Sequence, residues 1–212
     1  MVILNDKNFF PDPEFSDADG LVAIGGDLSP QRLLTAYKNG IFPWETEPVI
    51  AWYSPDPRCI LVPNEVVISK SMRGILNSGK MKFRLNTSFK EVMILCQTTK
   101  RKGAQGSWIS DDLIESFTLL HKEGYAISAE AWQDEKLVGG LYGIILGKIF
   151  FGESMFSSIP NSSKFALIKL CSYFEKQNIK IIDCQVHSDH LESMGAKLIR
   201  RKFFLQKLKE LT

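Results

Sequence analysis

The residues best placed to do chemistry lie in the stretch 179–190, IKIIDCQVHSDH, where an acid and an amide two positions apart interrupt an apolar run. Side chains of a strand alternate, so Ile181, Asp183 and Gln185 fall on one face and Ile182, Cys184 and Val186 on the other. Burying a carboxylate beside an amide is costly unless both are satisfied. Ser188 and Asp189, with Glu192 three residues after Asp189, read as a helix start, which puts Asp183 and Gln185 near the end of a strand. Strand ends in mixed α/β sheets are where ligands bind. The competing reading is a strand with one wet face, since such alternation is common in sheets. Cys184 points the other way and reads as core.

The elements that must position this pair follow from periodicity and turn residues. Seven of the nine prolines fall in the first sixty residues, together with several aromatics, which marks a small, loop-rich unit. Within it Ser29-Pro30, then Leu33, Leu34 and Tyr37, then Asn39-Gly40, supply a cap, a proline at the first helical position, an apolar stripe and a stop. Phe42, Trp44, Trp52 and Tyr53 among prolines suit turns and short strands; exposed, such rings make a stacking platform for bases, and buried they are core. Beyond Pro63, Ser88 with Glu91 spells a capping box for a helix that turns Phe89, Val92, Met93 and Cys96 inward. A basic loop, 100–106, follows. Ser110 or Asp111 opens a second helix with Leu113, Ile114, Phe117 and Leu120 on one face. Residues 125–132, 137–146 and 149–156 read as strands, the last two joined by a tight turn at Gly147-Lys148. Residues 161–163 cap a helix to about Gln177, followed by the opening strand, a short helix stopping at Gly195, and a last strand, 197–205. The expected architecture is α+β: a small N-terminal domain, 1–62, packed on a larger domain, 63–212, with a mixed sheet flanked by helices.

Composition bounds the partners. An apolar share of 44% over 212 residues supports a substantial core. Four scattered cysteines and three histidines indicate neither a disulfide framework nor a cysteine-based metal site, so a reducing cytoplasm is expected. The N-terminus has no basic segment leading into an apolar one, and the most apolar stretch, 139–152, is too short to span a bilayer, so no membrane partner is expected. Net charge is only +2, but segment 68–102 holds nine Lys or Arg against the single Glu91, a local +8 that leaves −6 for the rest. Such a basic region on an acidic chain fits a polyanion such as a phosphate backbone, or else a solvated basic face.

From residue 125 onward the succession of three strands, helix, strand, short helix and strand is similar to the GNAT acyltransferase fold, whose sheet splays near its middle to admit an acyl donor. The coenzyme A signature of that fold, Gln or Arg followed by xxGxG/A, is replaced here by IPNSSKFA. Without glycines the backbone amides form no pyrophosphate cradle. Neither coenzyme A nor another cofactor is expected.

Five stretches in order, GGDLSP (25–30), GIFPW (40–44), WYSPDPR (52–58), FGESMFS (151–157) and DCQV (183–186), together resemble the leucyl/phenylalanyl-tRNA protein transferases. The resemblance implies an enzyme, working as a monomer, that moves Leu or Phe, and less readily Met, from aminoacyl-tRNA to the N-terminal Arg or Lys of a protein, marking it for degradation. It implies a tRNA acceptor stem against the basic region, with Arg73, Lys80, Lys82 and Arg84 in contact, and Trp44 and Trp108 flanking the 3′ adenosine or its amino acid. Leu141, Phe150, Met155 and Leu167 fall where the family's pocket residues fall, with Ser157 and Leu170 beside them; Leu170 departs from the aromatic of the family. Gln185 would hydrogen-bond the attacking amine or the tetrahedral intermediate, Asp183 would orient Gln185 or help accept a proton, and Glu153, on the same side of its strand as Phe151 and Met155, would hold the cationic acceptor. The tRNA's own 2′-hydroxyl is the alternative proton carrier. No catalytic histidine is implied at His187 or His190. Two other readings stay open: transfer to a different acceptor, such as a cell-wall precursor, and a non-catalytic tRNA-binding module.

Overall fold

Strands of two sheets meet around residues 179–190; the computed structural model describes residues 2–45, 48–99 and 107–212. Val2–Leu4 (β1), Leu21–Gly25 (β2), Phe42–Glu45 (β3) and Ala51–Tyr53 (β4) form a small sheet in the order β1-β2-β4-β3. Its helix, Pro30–Lys38 (α1), starts as expected, with the Ser29 hydroxyl accepting from the Arg32 amide at 3.4 Å. The larger sheet runs β11-β5-β10-β9-β8-β7-β6, from Arg58–Leu61 (β5), Lys82–Leu85 (β6), Ala126–Gln133 (β7), Lys136–Leu146 (β8), Ile149–Ser157 (β9), Ile181–Gln185 (β10) and Lys197–Ile199 (β11). Within it β9 and β10 are parallel and every other pair is antiparallel. Thus β5, which precedes residue 62, pairs within the larger sheet.

Helices cover both faces. Phe89–Thr98 (α3), Asp111–Lys122 (α4) and Arg201–Leu211 (α7) pack with the small sheet on one side, around Phe117, Tyr142, Phe151 and Phe204. Lys70–Asn77 (α2) and Ser162–Lys176 (α5) cover the other, around Phe150, Phe165, Leu170 and Phe174. The four-residue helix Asp189–Glu192 (α6) follows β10 directly, capped by the Ser188 hydroxyl. The fold class is α+β, with the three antiparallel strands, crossing helix and parallel fourth strand of the GNAT-like succession.

Three local expectations are corrected. The last strand, 197–205, is only three residues of strand followed by α7, because Phe204 and Leu208 are spaced for a helix and bury fully against Gly40 and Phe151. The capping box at α3 is not formed: Ser88 makes no side-chain cap, and the buried Glu130 of β7 instead accepts from the Thr87 and Ser88 amides, both at 2.9 Å. Glu130 thereby takes the Ser88 amide, the donor that a capping box gives to Glu91, and its charge is favoured at the helix N-terminus. Third, Glu153 and Met155 do not share a face. Gly143 pairs with Gly152 and Tyr142 with Ser154, so Glu153 is an inserted residue in a bulge that reverses the alternation of β9. Phe151 consequently points to the α7 side and Met155 to the α5 side. The bulge needs Gly143, where a Cβ would run into the Phe151 carbonyl. The basic loop 100–106 lies outside the described residues.

Candidate active site

Parallel pairing of β9 with β10 runs from Ile149 opposite Ile181 to Phe151 opposite Asp183, and then the strands part. The gap left on the far side of Asp183 is a cavity of ≈ 380 Å³, within the usual range of small-molecule sites. Leu141, Met155, Leu167 and Ile182 supply its apolar walls; Trp44, which is 38% exposed, and the half-buried Trp108 stand at its edge. Glu153 and Gln185 supply polar groups from the two parting strands, and Ser188 and His190 add others from the turn into α6.

Gln185 reaches the cavity by an unusual route. Asp183 pairs with Ile60 of β5 and Gln185 with Cys59, which leaves Cys184 as the extra residue of a second bulge, and Gln185 takes a left-handed φ of +58°. A non-glycine residue in that region carries about 1–3 kcal/mol of strain, which the surroundings must over-determine. They do so with two hydrogen bonds: the Gln185 amide donates to Asp183 Oδ1 at 3.1 Å, and its Nε2 donates to Glu153 Oε1 at 3.3 Å. The simple alternation expected for β10 is therefore corrected: Asp183 points away from the cavity while Gln185 turns into it; Cys184 is in the core as expected and also touches the cavity.

Asp183 is fully buried and bound in a fork by the equally buried Arg58, whose Nε and Nη2 reach the two carboxylate oxygens at 2.8 and 2.6 Å. Arg58 also donates to the Gly40 carbonyl at 3.1 Å, and its guanidinium lies between the rings of Phe42 and Phe204, 4.9 and 4.6 Å from their centroids. With both oxygens engaged, Asp183 holds the strand end rather than facing a ligand. Residue types and spacing do not single out Arg58, although WYSPDPR contains it; its trace in the sequence is a cation at the start of the apolar run CILV (59–62).

Glu153 is half-buried, and its carboxyl is pushed up to about 8, chiefly by burial and further by the nearby Asp183 charge, against lowering by Tyr37 and Arg58. The wholly buried Tyr37 phenol faces Glu153, and burial and that carboxyl hold the phenol well above its ordinary range. His190 is held below its ordinary value by burial and by the Lys164 charge, and is neutral at pH 7. On the outer side of the same turn, His187, Asp189 and Glu192 are exposed and hold ligand atoms within 4.8 Å of one another; His187 pairs with Glu192 at 2.9 Å, which raises its pKa.

Of the residues expected in the pocket, Trp44, Trp108, Leu141, Met155 and Leu167 line the cavity; Phe150, Leu170 and Ser157 do not. Phe150 and Leu170 are fully buried behind it, Phe150 against Phe174 at 5.0 Å. The Ser157 hydroxyl instead accepts from the Ser163 amide at 3.0 Å, securing the first turn of α5. Arg73 and Lys80 are exposed near α2 and β6. Lys82 and Arg84 lie on β6, the edge strand four positions from β10, so roughly 19 Å away at the usual spacing. Both contact Glu135 of the β7–β8 turn, at 3.5 and 2.5 Å, and Arg84 stacks on Trp132 at 4.5 Å. The fold thus brings an acid into a region where the sequence shows Glu91 alone.

Residues 60–209 match the family profile of the leucyl/phenylalanyl-tRNA protein transferases, and residues 26–56 that of their N-terminal domain. Relatives carrying the name leucyl/phenylalanyl-tRNA–protein transferase include one from Flavobacterium johnsoniae, 55% identical over 95% of both chains. Another, from Flavobacterium psychrophilum, is 48% identical over 99% of this chain and 100% of its own, and one from Legionella pneumophila is 50% identical over 97% and 92%. A solved GCN5-related N-acetyltransferase from Kribbella flavida aligns at 7% identity and a TM-score of 0.40 over 77% of this chain and 58% of that one. Among the described residues no helix is long and apolar enough to cross a membrane.

Proposed function

Because the chain belongs to the leucyl/phenylalanyl-tRNA protein transferases, we propose that the cavity between β9 and β10 grips the Leu or Phe of an aminoacyl-tRNA while it is passed to a protein N-terminus. The α-amine of the acceptor attacks the ester carbonyl, a C–N bond forms, the C–O bond to the terminal ribose breaks, and the proton lost by the amine ends on the ribose oxygen. An aminoacyl ester is already activated, so the reaction needs chiefly proximity and hydrogen bonds to the developing charges. Neither coenzyme A nor any other cofactor has a part in it.

With its Nε2 committed to Glu153, Gln185 offers its carbonyl oxygen to the attacking amine. Asp183, saturated by Arg58 and the Gln185 amide, is a positioning residue, and the 2′-hydroxyl beside the ester carries the proton to the leaving oxygen. Glu153, kept neutral by burial, ionises when the guanidinium or ammonium of an N-terminal Arg or Lys arrives, because a paired cation stabilises the carboxylate. Trp44 and Trp108 flank the adenosine. The basic face of α2 and β6, with Arg73, Lys80, Lys82 and Arg84, takes the acceptor stem, and the setting is the cytoplasm, where aminoacyl-tRNA is made.

The observation that carries this reading is the Gln185 side chain, turned by a left-handed backbone into an apolar cavity at a strand end. Incubation with labelled Leu-tRNA and peptides beginning with Arg or Ala tests it. Amide formation with the Arg peptide alone is expected. Equal transfer to both would reject the cationic acceptor, and tight tRNA binding without transfer would reject the enzyme.

A further inference from the structure

Cys184, which touches the cavity wall, has a second cysteine across the sheet. Ile182 pairs with Leu61 and Asp183 with Ile60, so at the next step of the β5–β10 ladder the bulge sets Cys184 and Gln185 together against Cys59. Both thiols turn to the α5 side: Cys59, Leu61, Ile182 and Cys184 share the cluster packed there, while Arg58 and Asp183 face the α7 side. Opposed residues of an antiparallel pair lie about 4.5–5.5 Å apart at Cα, inside the range of about 4.4–6.8 Å that a disulfide spans. The two sulfurs are free, and they lie within hydrogen-bonding reach of one another. Cys184 donates to Cys59, which holds the Cys59 thiol below its ordinary range, while that bond and burial hold Cys184 above it. Cys59 is 1% exposed and Cys184 8%, so a reagent in the cavity meets Cys184 first. Of the other cysteines, Cys96 packs on the opposite face of the sheet, and the Cys171 thiol is pushed up to about 12, chiefly by burial, which leaves it unreactive.

We propose that Cys59 and Cys184 form a redox site, which a small peroxide entering the cavity closes into a disulfide, and that closure halts transfer until an added thiol reopens the bond. When the pair ionises, the remaining proton lies between the two sulfurs, and its move to Cys59 leaves Cys184 as the thiolate. The Cys184 sulfur attacks one peroxide oxygen, the O–O bond breaks, and the departing hydroxide takes the Cys59 proton and leaves as water. The Cys59 thiolate then displaces hydroxide from the Cys184 sulfenic acid, and the S–S bond forms. The peroxide gains two electrons and the pair loses two. A covalent S–S bond is shorter than any contact between two thiols, so closure draws the Cys184 segment toward β5. Gln185 is the next residue, aimed at the cavity by a left-handed backbone and by its bonds to Asp183 and Glu153. A shift of about 1 Å at such a group can cost on the order of a hundredfold in rate. In a reducing compartment such a bond is transient and reports oxidation. The effect on transfer rests on the transfer reading above; the dithiol itself does not.

The test treats the full-length protein with hydrogen peroxide, maps its peptides by mass spectrometry without reduction, and measures Leu transfer before treatment, after it, and after dithiothreitol. The native protein should lose the mass of two hydrogens and yield one bridged peptide pair, holding Cys59 and Cys184. Its transfer rate should fall roughly tenfold or more and return with dithiothreitol. Cys59→Ala leaves the cavity wall in place and removes both the bridge and the acceptor of the Cys184 proton, so it should transfer like the native protein and keep its rate through the same treatment. A peroxide-treated native protein with no bridge, or with a bridge through Cys96 or Cys171, would overturn the site. A Cys59–Cys184 bridge with an undiminished rate, or an equal loss in Cys59→Ala, would overturn its effect on transfer. Failure of the reduced native protein to transfer Leu at all would instead reject the transfer reading, while the peptide map would still decide the dithiol.

Discussion

Glu153 is an acid that burial at the cavity wall keeps protonated at neutral pH, and this has consequences for stability and for acceptor binding. Its folded value, about 8, lies above the ordinary 4.5 because of burial. Between those values the unfolded chain gives up a proton that the folded chain keeps, so stability falls as pH rises from about 4.5 to 8. Glu153→Gln should remove that part of the slope, leaving a flatter denaturation midpoint between pH 5 and pH 8. An unchanged slope would mean the carboxyl is not buried as described. Asp183 makes a different demand. It faces Arg58 with both charges out of water, so Asp183→Ala should cost roughly 3–5 kcal/mol by stranding the guanidinium, and urea unfolding measures this. Arg58→Met combined with Asp183→Leu should cost less than either single change. Additive losses in that cycle would deny the pair its coupling.

At the scale of elements, two bulges and one borrowed cap set the site. The bulge in β9 turns Glu153 toward Tyr37 and Gln185, and the bulge in β10 lets Gln185 swing into the gap while Asp183 stays behind. The cap is Glu130, which also takes the Ser128 hydroxyl at 2.7 Å and the Trp132 indole at 2.9 Å, tying β7 to the start of α3. Burial pushes its carboxyl up, but the hydrogen bonds from Thr87, Ser88, Ser128 and Trp132 outweigh burial and leave its pKa lowered from 4.5. Its contribution is therefore present above the unfolded value and lost as pH falls through the lower folded one. Glu130→Gln should destabilise the protein by about 2 kcal/mol at pH 7, as expected for charged hydrogen bonds, and by less in acid, as pH falls below the unfolded value. Thermal melts of the two proteins from neutral to acid pH measure the difference, and equal losses at both ends would contradict the cap.

Across the whole molecule, the basic edge of the large sheet and the cavity lie on separate strands, as a ligand with a long stem and a narrow reacting end requires. Glu135 tempers that edge by engaging Lys82 and Arg84, so Glu135→Gln should tighten tRNA binding and steepen its dependence on salt. Reversing Lys80, Lys82 and Arg84 should weaken binding and flatten that dependence. Binding isotherms from low to moderate salt measure both slopes, and slopes indifferent to these changes would place the RNA on another surface.

Much of this was legible in the chain. The strands from Ala126 to Gln185, the caps of α1, α4 and α6, the acid and amide of DCQV and the family resemblance rest on local spacing and on strings of residues, and local physics is sufficient for them. What only the tertiary structure decided is where side chains end up when strands slip by one residue or meet partners far along the chain. A bulge reverses the facing of every residue beyond it, which separated Glu153 from Met155 and Asp183 from Gln185. Arg58 finds Asp183 across 125 positions, and Glu130 takes the Ser88 amide across 42. Such contacts depend on the closing of the sheet, and the free energy that selects them is not written in any short run of residues.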